Sequence, residues 1–283
     1  MTVKRPSTET IAKNRRTAYV KSRNIDPAQP MQLSMLFPTL ANEEISFMPN
    51  DLGRSALFTA RDKRLRRENL VHEKLFHLHD NVTIYYTGSE LRAYDDELVW
   101  QQILRYAREK PLGEPVRFSV KQLVADLGWP KNGQRYDAAR MCLSRLKATE
   151  LLVVNEKAFG TSGAFSLIEK YTGINDTGIK PVEYAVWIDP AMITLFAGST
   201  FTNHCWPIYR ELTPSARRLA DYVESHRIPN PLPVTRFAQM CGSKDQSATS
   251  QAQTARKACK ELVGAGIAVQ AFVKSGMIYA HRT

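Results

Sequence analysis

The sequence predicts an α+β chain with tandem winged helix-turn-helix domains behind a flexible basic N-terminal leader. Three observations carry this expectation. A helix, helix, helix, hairpin pattern occurs twice, with Leu123 matched by Phe237 and Ala139 by Ala255 at nearly the same offset. Residues 1–48 lack sustained periodicity and are cut by Pro6, Pro27, Pro30 and Pro38, as expected of a segment that buries no core. The 283 residues are 43% hydrophobic and 24% charged, a globular composition that excludes wholesale disorder and fibrous repeats. The expected domains are a leader over 1–48, a first winged-helix domain over 49–200 and a second over 201–283.

In the first unit a helix is expected over 95–110. Asp95, Asp96 and Glu97 suit the positive end of the helix dipole, and Trp100, Ile103, Leu104 and Ala107 form an i, i+3, i+4, i+7 stripe. After an extended piece at 114–118, Ser119 is placed to cap a helix carrying Val120, Leu123, Val124 and Leu127. Gly128 and Pro130 end it. A third helix, over 134–148, buries Ala139, Cys142, Leu143 and Leu146. Strands are expected at 151–155, 164–171 and 183–188.

The second unit repeats the plan. Thr213-Pro214 opens a helix that buries Ala216, Leu219, Ala220 and Val223. A short helix with Val234, Phe237, Ala238 and Cys241 closes at Gly242, and a longer one has Ala255, Ala258, Cys259 and Leu262 inside. Strands at 267–272 and 277–280 flank Lys274-Ser275-Gly276.

Charge points to the partner. The chain has 39 Lys+Arg against 28 Asp+Glu, a net charge of +11. The excess sits in two arms: Lys4, Arg5, Lys13, Arg15, Arg16, Lys21 and Arg23 in the leader, and Arg54, Arg61, Lys63, Arg64, Arg66 and Arg67 further on. Basic arms on a neutral body call for a polyanion, here nucleic acid. No apolar run reaches the roughly 18 residues of a membrane span, and the polar N-terminus is no secretory signal, so no membrane partner and a cytoplasmic location are expected. Cys142, Cys205, Cys241 and Cys259 lack metal-ligand spacing; they read as thiols in a reducing compartment, three of them in the core.

Winding the third helices separates an inner from an outer face. The first unit presents Gln134, Asp137, Met141 and Ser144, flanked by Lys131, Arg140, Arg145 and Lys147; the second presents Gln246, Thr249, Ser250 and Gln253, followed by Lys257 and Lys260. Amide and hydroxyl side chains can hydrogen-bond base edges while Lys and Arg hold phosphates. These residues, with Arg64, Arg66 and Arg67, are the expected DNA contacts. Two such units on one chain suit a direct repeat in successive major grooves of double-stranded DNA, since no dimer two-fold is needed.

In the leader, Gln32-Leu33-Ser34-Met35-Leu36-Phe37 stands alone between prolines. An extended peptide of this kind fits the way bacterial sliding clamps take partners: Gln32 fixes register and Leu36 and Phe37 fill an apolar pocket, with Leu33 and Met35 in the same clamp-binding segment.

Catalytic readings are weaker. His77-Leu78-His79 on a strand would put two imidazoles on one face, as rolling-circle nickases use them to hold a metal, but no third ligand is evident. The spacing from Gly173 to Gly178 is not followed by Gly-Lys-Ser/Thr. No catalytic residue, metal or cofactor is expected; the alternatives are a winged-helix transcriptional repressor and, with weaker support, a rolling-circle-type nickase using His77 and His79.

Several runs carry a resemblance: Met48-Pro49-Asn50-Asp51, Arg54-Ser55-Ala56-Leu57-Phe58-Thr59, Tyr86-Thr87-Gly88, Asp95 through Gln102, Asp126-Leu127-Gly128-Trp129, Cys142-Leu143-Ser144-Arg145-Leu146, Leu195-Phe196-Ala197-Gly198 and Met240-Cys241-Gly242-Ser243. Together they closely resemble the TrfA family of replication initiators from broad-host-range plasmids, from about Gln32 to the C-terminus. The resemblance implies binding to directly repeated origin sequences (iterons), opening of an adjacent A+T-rich segment that exposes single-stranded DNA, and recruitment of host DnaA, the replicative helicase DnaB and the sliding clamp, the last through Gln32–Phe37. It also implies a monomer on DNA, with dimers inactive or regulatory. The chain departs from the family pattern at Met35, an extra residue in the clamp-like segment, at 155–180, at 246–254 and at His79.

Overall fold

Two blocks of the chain repeat one plan of helices and strands. The computed structural model describes residues 44–108, 110–111, 113–155, 160–161, 164–174, 182–189, 195 and 201–283. In chain order the elements are β1 (Ile45–Pro49), α1 (Asn50–Gly53), β2 (Phe58–Thr59), β3 (Asn69–Leu75), β4 (Val82–Ser89), β5 (Leu91–Arg92), α2 (Asp96–Ala107), β6 (Val116–Ser119), α3 (Val120–Asp126) and α4 (Gly133–Lys147). They continue as β7 (Glu150–Asn155), β8 (Gly160–Thr161), β9 (Lys170–Ile174), β10 (Glu183–Trp187), β11 (Phe201–Cys205), α5 (Trp206–Tyr209), α6 (Pro214–Glu224), β12 (Leu232–Pro233), α7 (Val234–Met240), α8 (Ala248–Gly264), β13 (Ala268–Lys274) and β14 (Met277–Arg282). The architecture is α+β.

Local chemistry sets the helix starts. The Asp95 carboxylate accepts the Asp96 N–H at 2.9 Å, Ser119 Oγ the Gln122 N–H at 3.0 Å, and Asn132 Oδ1 the Arg135 N–H at 3.0 Å, each satisfying an otherwise orphaned donor. Asn132 starts the third helix slightly earlier than the apolar pattern alone places it. In the second unit Ser247 Oγ accepts from Ser250 N. At Thr213 the side chain does not cap; it donates instead to Glu261 of α8 at 2.7 Å, tying α6 to α8.

The inner residues predicted for both third helices, Ala139, Cys142, Leu143 and Leu146, and Ala255, Ala258, Cys259 and Leu262, are all buried in one continuous hydrophobic cluster spanning both blocks. Cys241 is buried as well, whereas Cys205 is exposed. Each block closes with a three-stranded antiparallel sheet of one order. The short strand before the second helix pairs with the last strand, which pairs with the strand between them: β6-β10-β9 and β12-β14-β13. The β13–β14 turn has Ser275 and Gly276 at φ 49° and 73°, the paired left-handed positions of a tight hairpin.

Four expectations are corrected. Residues 45–48 are not leader: Phe47 and Met48 are buried, and β1 pairs antiparallel with β11, crossing both expected domain boundaries. The strand at 151–155 forms but does not belong to the first hairpin; it pairs with β4 in the sheet β3-β4-β7-β8, built largely from residues 69–89, where the apolar pattern predicts no element. The stretch 164–171 is mostly not a strand. Leu167 and Ile168 are consecutive and both buried, which the period of two forbids in a half-buried strand, and Thr149 Oγ1 accepts the Leu167 N–H at 3.1 Å; the strand begins only at Lys170. Finally, α2 is buried well beyond its predicted stripe: Glu97, Gln101 and Gln102 are covered too, because the second block packs on its polar side.

Candidate nucleic-acid interface

A buried ionic cluster fixes the two blocks to each other. Arg218 of α6 is fully buried, pairing with Glu97 of α2 at 2.5 Å and with Asp221. The Tyr209 hydroxyl lies 2.7 Å from Glu97 Oε1 and 2.9 Å from Asp221 Oδ1. His204 sits between Asp221 at 2.9 Å and Glu224 at 2.5 Å. Burial opposes its charged form, but hydrogen bonds to the two carboxylates outweigh this and hold its pKa up at about 9. Arg217 donates to the Ala93 carbonyl, Arg210 to that of Asp126 at 2.7 Å, and Arg54 to that of Ser225 at 2.9 Å. Each crosses between the blocks.

On that frame the two third helices keep their outer faces open. On α4 the residues Gln134, Met141, Ser144 and Lys147 are exposed, as is Lys131 just before it. Asp137 and Arg140 pair with each other at 3.0 Å and are partly covered. On α8 and its approach Gln246, Thr249, Gln253, Lys257 and Lys260 are exposed, and Ser250 is half-buried with its N–H on the Ser247 cap. Arg256, three residues beyond Gln253, is exposed on the same side; helical spacing alone could have added it.

Two of the expected DNA contacts are engaged within the chain. Arg67 and Arg145 face inward onto the Asp95–Asp96 pair: Arg67 lies 2.7 Å from Asp95 and 2.6 Å from Asp96, and Arg145 lies 2.8 Å from Asp96. Asp96 is fully buried, and burial together with the adjacent Asp95 pushes its carboxyl up to about 6 against the pull of Arg145 and Arg67. A buried carboxylate needs such counter-charges, so these arginines are engaged as internal staples. The same acids and Cys142 are the described residues with metal-ligand atoms within reach of one another, and the two guanidiniums already occupy the carboxylates.

The loop 61–67 is the feature the sequence named without placing. Buried Arg92 donates to the carbonyls of Asp62 at 3.0 Å and Leu65 at 2.8 Å, and Arg61 pairs with Glu68 and Glu90. Toward the first block, the Lys63 ammonium reaches the Tyr94 hydroxyl at 3.2 Å, and so does Arg135 of the first turn of α4, at 2.8 Å. Toward the second, Ala60 N–H donates to the Cys241 carbonyl at 2.8 Å and Glu68 pairs with Lys244 at 2.7 Å. Gly242, at φ +65°, lets the chains approach; a Cβ there would lie 2.6 Å from Thr59 Cγ2. Arg64 and Arg66 remain exposed at the tip, the Arg64 side chain 86% so.

The His77–His79 pair is also corrected. It lies on a bridge and bend after β3, not on one strand face. His77 is buried, its Nδ1 accepts the His79 N–H at 3.0 Å, and burial lowers both imidazoles to about 4. His79 Nε2 faces the Arg54 guanidinium at 3.2 Å, which disfavours a cation there. The clamp-like residues Gln32, Leu33, Met35, Leu36 and Phe37 lie outside the described residues.

Comparison with known proteins gives the chain's relatives. A family model described as TrfA protein matches residues 2–282. The plasmid replication initiator protein TrfA of Escherichia coli is 42% identical over 252 residues, covering 89% of this chain and 65% of the relative's own length. Among solved structures, domains 2 and 3 of RctB superpose with a TM-score of 0.55 at 10% identity, over 82% of this chain and 96% of that one. A second crystal structure of those domains gives 0.55 at 11%, over 83% and 97%. At such identity the likeness concerns the fold alone. No helix among the described residues is long and apolar enough to cross a membrane.

Proposed function

This chain belongs to the TrfA family, and from that premise we propose that it initiates replication of its plasmid by binding directly repeated origin sequences as a monomer. Both blocks are read as winged helices, α4 and α8 entering successive major grooves and the β9–β10 and β13–β14 hairpins flanking them. One observation carries the reading: a single chain holds two exposed amide-, hydroxyl- and lysine-bearing helices in fixed relation through the Arg218–Glu97–Asp221 cluster. Amides and hydroxyls supply base readout, the flanking lysines supply phosphate grip, and the asymmetry of the two helices matches a repeat without internal symmetry. Opening of an A+T-rich segment, capture of its single strand, and recruitment of DnaA, the replicative helicase DnaB and the sliding clamp complete the proposal, with dimers as the regulatory form. It assigns the chain no catalytic step.

Footprinting on the plasmid's own origin tests it, paired with replication of an origin-only plasmid when this gene is supplied in trans. Protection of tandem repeats together with replication is expected. Protection beside a promoter without replication would instead identify a repressor. For the clamp, Leu36→Ala with Phe37→Ala in the full chain is expected to abolish capture by immobilised bacterial clamp while leaving repeat binding unchanged. Undiminished capture would remove Gln32–Phe37 from the proposal.

A further inference from the structure

The loop 61–67 touches the approaches to both third helices. One side is fastened to the first turn of α4 through Lys63, Tyr94 and Arg135, the other to the approach of α8 through Glu68 and Lys244. Recognition helices contact bases mainly from their N-terminal residues, and successive major grooves on one face of a duplex are separated by about 34 Å. Between them the minor groove faces the protein. With α4 and α8 in successive major grooves, as proposed above, an element joining both N-terminal ends would lie over that minor groove.

The loop is built for the position. Arg61, Arg67 and Arg92 are turned inward and hold it from beneath, Arg92 through two backbone carbonyls and Arg67 through Asp95 and Asp96. The Asp62 carboxylate accepts the Arg64 N–H at 2.8 Å, shaping the tip. Arg64, whose Nε also lies 3.4 Å from Asp62 Oδ1, and Arg66 are the guanidiniums of the loop that face solvent. An arginine on a preformed loop pays little ordering entropy, and a narrow A·T-rich minor groove concentrates negative potential that draws guanidinium groups.

We propose that Arg64 and Arg66 enter the minor groove between the two major-groove sites and select A·T-rich sequence there, a third reading element beyond the two helices. The inference rests on the proposed binding of α4 and α8 to successive major grooves. Its chemistry separates it from non-specific grip, because A·T and G·C pairs differ in the minor groove by the guanine 2-amino group.

The test uses duplexes carrying the footprinted origin repeat. In one, 2,6-diaminopurine replaces adenine only between the two major-groove sites, adding a minor-groove amino group while keeping the A·T major-groove pattern. In the other, inosine replaces guanine there and removes that group. Affinity of the full chain is measured by fluorescence anisotropy at fixed salt. The diaminopurine duplex is expected to bind roughly tenfold more weakly and the inosine duplex more tightly. The variant Arg64→Ala/Arg66→Ala, with an unchanged melting temperature, is expected to bind all three duplexes alike. Indifference of the unaltered chain to both base analogues, or equal sensitivity in the variant, overturns the inference while leaving repeat binding intact. Failure to protect any repeat overturns the proposed function and this inference with it.

Discussion

Replacing Arg218 by methionine is expected to lower the thermal midpoint of the chain by on the order of 10 °C. Arg218 is fully buried and holds Glu97 and Asp221 together across the two blocks. Without it, two carboxylates face one another beside the Tyr209 hydroxyl in a site closed to water. Removing one partner from such a cluster costs about 3–5 kcal/mol, mostly the penalty of stranding the other charge, and each kcal/mol moves the midpoint by about 2–4 °C in a chain near this size. Adding Glu97→Gln should recover part of the loss, because an amide can still accept from Tyr209 and carries no charge to strand. Calorimetry decides it. A midpoint within about 2 °C of the original would show that packing, not this cluster, joins the blocks. Because the cluster fixes the relation of α4 to α8, the Arg218→Met chain should also lose affinity for the full repeat at temperatures where it remains folded.

The second large effect concerns specificity. Thr249→Ala with Gln253→Ala is expected to reduce the preference for the origin repeat over random DNA by roughly 100-fold, at about 1–3 kcal/mol for each base contact. Lys257→Ala with Lys260→Ala should act differently. It is expected to weaken binding to repeat and random DNA alike and to flatten the slope of log affinity against log salt by about 0.9 for each phosphate no longer neutralised. All four side chains are exposed, so neither pair should shift the melting temperature appreciably. Titrations of both DNAs over a range of salt separate the two patterns. If the Thr249/Gln253 variant retained its preference, α8 would not be reading bases.

The sequence alone determined the two third helices, their inner faces, the acidic start of the helix at 95–97, the cap at Ser119 and the hairpin turn at Ser275-Gly276. All follow from periodicity and from which residues satisfy a helix end or adopt positive φ, and such properties are local. Tertiary structure alone decided the rest. That Arg67 and Arg145 are staples while Arg64 and Arg66 face solvent depends on the buried Asp95–Asp96 pair, and nothing in the basic run distinguishes one arginine from the next. The pairing of β7 with β4, and of β1 with β11 across most of the chain, depends on distant partners competing for the same backbone groups. The placement of loop 61–67 between the helix ends has the same origin, since Glu68 meets Lys244 only once the core has closed. Periodicity records which side of an element is buried; what buries it is settled by the whole chain at once.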